Sequence, residues 1–330
     1  MSRFHQALRG FAVISFALFT TSITHAAVTR TWVSGLGNDN NPCSYTAPCA
    51  TFTGAYAKTA INGEINCLDP GDYGPVTINH SITIDCRNSQ GSILANNGAL
   101  AVQIVLNEPV ADDPLATVRL RGLSINGTGP CGPGCGGFFS GYVGVNVASG
   151  VRRPKVFLED LIIENFVVHG ILFVGNGGEL SVKNCALHDN AKGITVASLL
   201  AGQNGIIRAT IDKTHADLND QGVRFEGNAI GVIKDSSASN NGINGFVVLP
   251  SDYGNSEMTI RDSTANNNRQ YGVFSGGSNG FLGTVRIVNT TAIHNTISQL
   301  EIGAGGTLCT NQKNHIGVPS DVPSPCFLDQ

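Results

Sequence analysis

Two stretches of this chain concentrate ionisable side chains: "LHDNAKG" from Leu187 to Gly193 and "ADLNDQGVRFEG" from Ala216 to Gly227. They supply Lys192 and Arg224 as bases or charge neutralisers, Glu226 as a carboxylate, and Asp189, Asp217 and Asp220 as oxygen donors. Those are the ingredients for removing a proton beside a carboxylate: a basic group takes the proton while Ca2+ or an Arg neutralises the acid. On that reading Lys192, Arg224 and Glu226 are the catalytic candidates, and Asp189 and Asp220 hold Ca2+. The competing reading is a solvated surface with ordinary ion pairs, each worth about 0–1 kcal/mol, and it is the preferred one. Serine-nucleophile motifs, phosphate loops and His/Glu metal signatures are absent from the sequence.

The elements that must position these residues form a repeat. An acid or amide follows strand-like alternation at Asp160, Asn184, Asp212, Asp235, Asp262 and Asn289, every 23 to 28 residues. Asn165, Asn190, Asn219, Asn240, Asn267 and Asn295 fill a polar turn between short apolar segments. A second column then opens another strand: Gly170, Gly193, Gly222, Gly245 and Gly272, with Gln299 in the last copy. Three strands per unit of about 25 residues is the signature of a parallel β-helix solenoid. With no helical pattern between the strands, a doubly wound α/β sheet is excluded, and two-residue hairpin turns for an antiparallel barrel are lacking. The repeat loosens upstream, where "TVRLR" ends at Arg121 and breaks the acid/amide rule. About eight or nine coils are expected, a rod of roughly 40 Å.

That scaffold turns a set of positions outward. The residues before each glycine include His169, Lys192, Asn244 and Tyr271; the outward positions of the following strands include Leu172, Arg224, Val247 and Phe274. The apolar and aromatic members suit sugar rings, and a rigid sheet loses little entropy on binding. His169, Leu172, Asn244, Val247, Tyr271 and Phe274 are therefore the ligand-binding candidates.

The chain has 330 residues, a net charge of −4 and 41 glycines, with no basic cluster to bind nucleic acid. Residues 1–27 read as an export signal: Arg3 and Arg9, an apolar run from Phe11 to Ile23, then small residues at Ala26 and Ala27. No other stretch is long enough to span a bilayer. The nine cysteines agree with export to an oxidising compartment, periplasmic or extracellular. Expected pairs are Cys43 with Cys49, Cys67 with Cys86, Cys131 with Cys135, and Cys309 with Cys326, leaving Cys185 as a buried free thiol. The expected divisions are an N-terminal cap over 28–64 with a helix in Ala50–Ala60, the β-helix over 65–302, and a C-terminal cap over 303–330.

"RTWVSGLGNDNNPCSYTAPCATFTGAYAKT" and "GEINCLDPGDYGPVTINHSITIDC", followed by the repeats, resemble exported bacterial right-handed parallel β-helix proteins of the pectin lyase-like superfamily. The resemblance implies an all-β, right-handed parallel β-helix over nearly the whole mature chain. It also implies a stacked ladder at the bend column that begins at Asp160. The subgroup has no assigned activity, whereas the superfamily includes lyases, hydrolases, epimerases and adhesins, so the fold does not settle function. "VHG" at Val168–Gly170 is similar to the histidine motif of polygalacturonases. The paired aspartates that such hydrolysis needs are missing from the neighbouring coils. The function expected is non-catalytic binding of carbohydrate or another cell-envelope component, with no cofactor. The alternatives are a polysaccharide lyase or epimerase, where Ca2+ enters, and a structural or adhesive rod.

Overall fold

Strands of three parallel sheets follow one another along the chain and return to the same sheet one coil later. In the computed structural model, residues 28–96, 98–106, 113–127, 141–149, 152–198, 205–250, 254–311 and 313–317 are described. The expected export signal, Cys131, Cys135 and Cys326 lie outside them. Sheet I has 11 strands, from Val28–Val33 at one end to Gly306–Thr310 at the other. Sheet II has six short strands, and single bridges from His215 through Ser237 and Thr264 to Thr291 continue it. Sheet III has nine strands, from Val76–Ile78 to Ser298–Ile302. All named strand pairs are parallel, and the register within sheet III is unbroken, as in Ile171–Ile194 and Val223–Phe246. The expected all-β parallel β-helix is the fold observed.

Alternation produces this packing. Along Gly178–Lys183, Leu180 and Val182 point inward while Glu179 and Lys183 are exposed. Inward residues stack on their register partners: Ile171, Ile194, Val223, Phe246, Val273 and Leu300 form one column, each no more than 3 % exposed. Burying each such side chain is worth roughly 1.5–3 kcal/mol. The glycine column has a steric cause. A Cβ on Gly193 would lie 2.7 Å from Gly222 O, and one on Gly245 would lie 2.6 Å from Gly272 O. Successive coils approach too closely there for any side chain.

Each coil makes two tight bends before the variable loop that returns it to sheet I, and both bends have one grammar: a residue with positive φ, then a buried residue that bonds the next coil in all but the N-terminal coils. At the bend from sheet I to sheet II the positive-φ residues are Gly122, Asp160, Asn184, Lys213, Asp235, Asp262 and Asn289. Lys213, not Asp212, holds the third-coil place; Asp212 is the last residue of its strand and pairs with Lys183 and Lys234. Arg121 likewise ends a strand, between Asp85 and Glu159, and Gly122 makes the bend. The apparent break in the acid/amide rule is thus a one-residue shift.

The stacked ladder expected at this bend is found at the other turn. At the bend itself, only separate exposed rungs form: Asn184 Nδ2 donates to Asp160 Oδ1 and Asn289 Nδ2 to Asp262 Oδ1, both 2.7 Å. The buried residue that follows is a hydroxyl in most coils: Thr214, Ser236, Ser263 and Thr290. Thr214 N–H donates to Ser236 Oγ at 3.1 Å and Ser236 N–H to Ser263 Oγ at 3.2 Å.

At the turn from sheet II to sheet III the buried residue is an amide: Asn190, Asn219, Asn241, Asn268 and Asn295. The Asn190 N–H and Nδ2 both donate to Asn219 Oδ1 at 3.0 Å, and the pattern recurs from Asn241 to Asn268 and from Asn268 to Asn295. Gln299, standing where a glycine stands in earlier coils, closes the ladder by accepting from the Asn295 N–H and Nδ2. Asn165, Asn240 and Asn267, expected in one column with these, are the positive-φ residues one place earlier.

At the N-terminal end, Phe52–Tyr56 is helical, shorter than the expected Ala50–Ala60 because Thr59 already begins the strand Thr59–Cys67. Thr51 caps the helix by accepting from the Gly54 N–H, and Phe52 and Ala55 are buried. Cys43–Cys49 and Cys67–Cys86 are disulfides, as expected. Cys309 is also disulfide-bonded. Cys185 is a buried free thiol, which burial pushes up to about 12.

Candidate functional site

Sheet III brings most of the candidate residues onto one outer face. Its register sets Leu172, Thr195, Arg224, Val247, Phe274 and Glu301 in a row, one per coil. A second row starts each strand: His169, Lys192, Gln221 and Asn244 in register, then Tyr271 and Ser298. The inward neighbours Val223 and Phe246 are fully packed, so alternation turns the first row away from the core. The second row, at the turn that opens each strand, meets the first from the outside where Gln221 bonds Arg224 and Tyr271 stacks on Phe274.

The polar half of the face is closed on itself. The Arg224 guanidinium contacts the Glu226 carboxylate through Nε, and its Nη1 donates to Gln221 Oε1 at 3.2 Å. Both partners of that ion pair are only about a fifth exposed. His169 is buried, and its Nδ1 lies 3.0 Å from Thr195 Oγ1. Burial, with the positive charges of Lys192 and Arg224 beside it, holds His169 down at about 4, so the ring is neutral at neutral pH. Lys192 lies between His169 and Gln221 in register and is half-buried.

Two of the expected ligand contacts are covered. Val247 is 1 % exposed, because it lies in register between Arg224 and Phe274, two large neighbours. Asn244 is 8 % exposed, and its Oδ1 accepts from the Tyr271 N–H at 3.2 Å. Leu172 is half-buried. Tyr271 and Phe274 are half-buried and stacked on each other, with ring centroids 5.5 Å apart and planes 26° apart. Phe274 lies over bare backbone: a Cβ on Gly276 or Gly303 would come within about 3 Å of its ring. Those two glycines, which no sequence motif singled out, clear the space in which the ring lies flat.

The acids proposed for a cation do not converge. Asp189 Oδ2 is taken by His188 Nδ1 at 2.9 Å. Asp220 is exposed one strand further on, where its carbonyl receives the Ile243 and Asn244 N–H groups. Asp217 binds Ser237 Oγ at 2.6 Å and the Ser239 N–H. Among the described residues no group of three or more His, Cys, Asp and Glu is arranged to hold a metal ion. Asp189 and Asp220 therefore do not form the expected Ca2+ site.

No curated protein sequence matches this chain. Among solved structures, a rhamnogalacturonan lyase is similar with a TM-score of 0.58 and 14% identity, covering 91% of this chain and 90% of its own. A pectate lyase is similar with a TM-score of 0.50 and 14% identity, covering 92% and 84%. At that identity the likeness is one of fold. The family described as the right-handed β-helix region matches residues 144–318, the part of the chain that carries both ladders and this face. The coil grammar, the parallel register and that match together make the chain a member of the right-handed β-helix family.

Proposed function

We propose that this is an exported protein that binds carbohydrate, or another sugar-bearing component of the cell envelope, without transforming it. The observation that carries the reading is the stacked Tyr271–Phe274 pair on the outer face of sheet III. An aromatic face presents apolar area to the C–H side of a sugar ring at low entropic cost. Around it, the charged candidates are engaged in holding one another: Arg224 with Glu226 and Gln221, His169 with Thr195. A general base must be free to reach the proton it removes, and Arg224 is instead a paired cation. Disulfides and an N-terminal export signal support a location outside the cytoplasm. Among the described residues no helix is long and apolar enough to cross a membrane.

The test is a panel of neutral and acidic polysaccharides, assayed for retention and for turnover. Retention of at least one polysaccharide without turnover, weakened about tenfold by Tyr271→Ala with Phe274→Ala, is the expected result. Release of unsaturated uronate by the wild type, abolished in Arg224→Ala, would overturn it in favour of a lyase.

A further inference from the structure

A second cluster of charged side chains lies on a different face, at the start of the sheet I strands. A cavity of about 330 Å³ is lined by Arg153, Lys155, Gly178, Glu179, Ile206 and Arg208. That volume is at the lower end of the range of small-molecule sites, roughly 300–1,000 Å³. The charged lining follows from register. Lys155 pairs with Glu179, and Glu179 with Arg208, so the three stand in a row across three coils. Their neighbours Val156, Leu180 and Ala209 are packed in the core, which fixes the row on the outside. Arg153 adds a third cation just before its strand.

Two features separate this cluster from the ordinary charged rows of the molecule. On and beside sheet I several cations are matched with acids, Arg121 with Glu159 at 2.8 Å, Arg286 with Glu257 at 2.8 Å and Arg87 with Asp85 at 2.6 Å, and Arg119 lies over the Phe157 ring. Among the described residues, Arg153, Lys155 and Arg208 make no ion pair, although Glu179 stands between two of them. Three cations against one carboxylate leave a net positive cavity in a chain whose net charge is −4. The cavity is also bordered by backbone without side chains. Gly177 and Gly178 have φ of +88° and +137°, and a Cβ on Gly177 would stand 3.4 Å from Arg153 Nε and 3.3 Å from Ile206 O. At those φ values a residue other than glycine would be strained.

We propose that this cavity binds the acidic group of a saccharide, a carboxylate or a sulfate ester. The two guanidiniums provide planar forks that match an oxyanion, and the ammonium of Lys155 adds a point charge. Glu179 accepts hydrogen bonds from the sugar hydroxyls beside that group. The sheet fixes the backbone of Lys155, Glu179 and Arg208 at coil spacing, which lowers the order that binding has to create. The proposal rests on the reading of the chain as a carbohydrate binder, but it concerns sheet I and is independent of the Tyr271–Phe274 face.

Titration calorimetry on the full chain tests it, with trigalacturonate and a sulfated trisaccharide as charged probes. Maltotriose serves as the neutral probe and inorganic sulfate as the anion without a sugar. Binding of either charged trisaccharide is expected, the better of the two naming the acidic group, with affinity falling as salt rises. Lys155→Ala with Arg208→Ala weakens it at least tenfold, while Tyr271→Ala with Phe274→Ala leaves it unchanged. Both cations are exposed and unpaired, so the variant folds; an unchanged melting temperature verifies this. Charged probes that fail to bind, or that bind undiminished to the sheet I variant, overturn the proposal. Maltotriose or inorganic sulfate binding as tightly as the charged trisaccharides overturns it as well. Loss of binding in the sheet III variant alone would move the acidic site to the other face and sink this one, leaving the earlier reading intact.

Discussion

The two bends of each coil solve one problem with different chemistry. Both must pair the backbone groups that a sharp turn takes out of the sheets, and both do so with a buried polar residue after a positive-φ position. At the bend from sheet I, a hydroxyl accepts one N–H from the neighbouring coil and donates to a carbonyl two residues back: Ser263 takes the Ser236 N–H and donates to Arg261 O at 2.7 Å. At the turn into sheet III, an amide does more. Asn268 Oδ1 accepts the Asn241 N–H and the Asn241 Nδ2 at 3.0 Å each, while its own Nδ2 reaches Ala238 O at 3.1 Å and Asn295 Oδ1 at 2.9 Å. A hydroxyl rung joins two coils by one bond; an amide rung joins them by several. Toward the N-terminus both ladders give way to apolar residues, Leu161 at the bend and Phe166 at the turn. Phe166 still offers its N–H to Asn190 Oδ1 at 3.1 Å, so the amide ladder starts on backbone.

The largest expected effect follows from that asymmetry. Asn268→Ala removes the acceptor for two donors of Asn241 and the donor to Ala238 O, all in a site with no solvent access. Each buried polar group left without a partner costs about 1–3 kcal/mol. The variant is expected to lose about 4 kcal/mol in denaturant unfolding at constant slope. A loss as small as that of a hydroxyl rung would remove the distinction between the two bends.

A smaller effect separates the ladders from the outer face. Amides and hydroxyls do not titrate between pH 4 and 7 in either state, whereas the His169 imidazole does in the unfolded chain. Its ring, held at about 4 in the folded chain by burial and by Lys192 and Arg224, would titrate near 6.5 when unfolded. Between those values the unfolded chain binds the proton and the folded chain does not, so stability falls as pH falls from 6.5 to 4. The full difference is about 3 kcal/mol. His169→Gln, which places there the residue found at Gln221 in the same row, is expected to flatten that slope. An unchanged slope would place the pH dependence on other groups.

The period, the glycine column and the parallel β-helix were legible in the sequence because each repeats with a fixed physical cause. The place of the buried ladder was not. Asn240 and Asn241 are adjacent amides, as are Asn267 and Asn268, and only the conformation shows that the first turns the chain and the second bonds inward. Asp212 was misplaced for a related reason: an acid at the end of a strand looks like an acid at a bend, and the cation that makes the bend, Lys213, is unusual at positive φ. On the outer face, the rows themselves were legible from alternation. The burial of Val247 was not, since it depends on the bulk of Arg224 and Phe274 one coil to either side. The cavity at Arg153, Lys155 and Arg208 left no mark in the sequence, because its residues come from three coils and its charge excess appears only when Glu179 is placed between them.

The smallest expected effect tests whether Cys185 belongs to the hydroxyl ladder. It occupies the same place as Thr214, and its thiol lies 3.3 Å from Lys183 O, the carbonyl two residues back, as the hydroxyls do. Its N–H donates to Thr214 Oγ1 at 3.4 Å. If the site is a rung, Cys185→Ser keeps the bond to Lys183 O and shortens it, and stability changes by about 0.5 kcal/mol or less. Ser263→Ala, by contrast, leaves the Ser236 N–H without its acceptor and is expected to cost about 1–2 kcal/mol. If the thiol is instead a small apolar plug, the order reverses: Cys185→Ala becomes harmless and Cys185→Ser costs the burial of a hydroxyl. Unfolding curves of the three variants decide between these, and a thiol reagent adds an independent reading. Held at about 12 and buried, Cys185 stays unmodified in the folded chain and reacts only at the rate at which this coil opens.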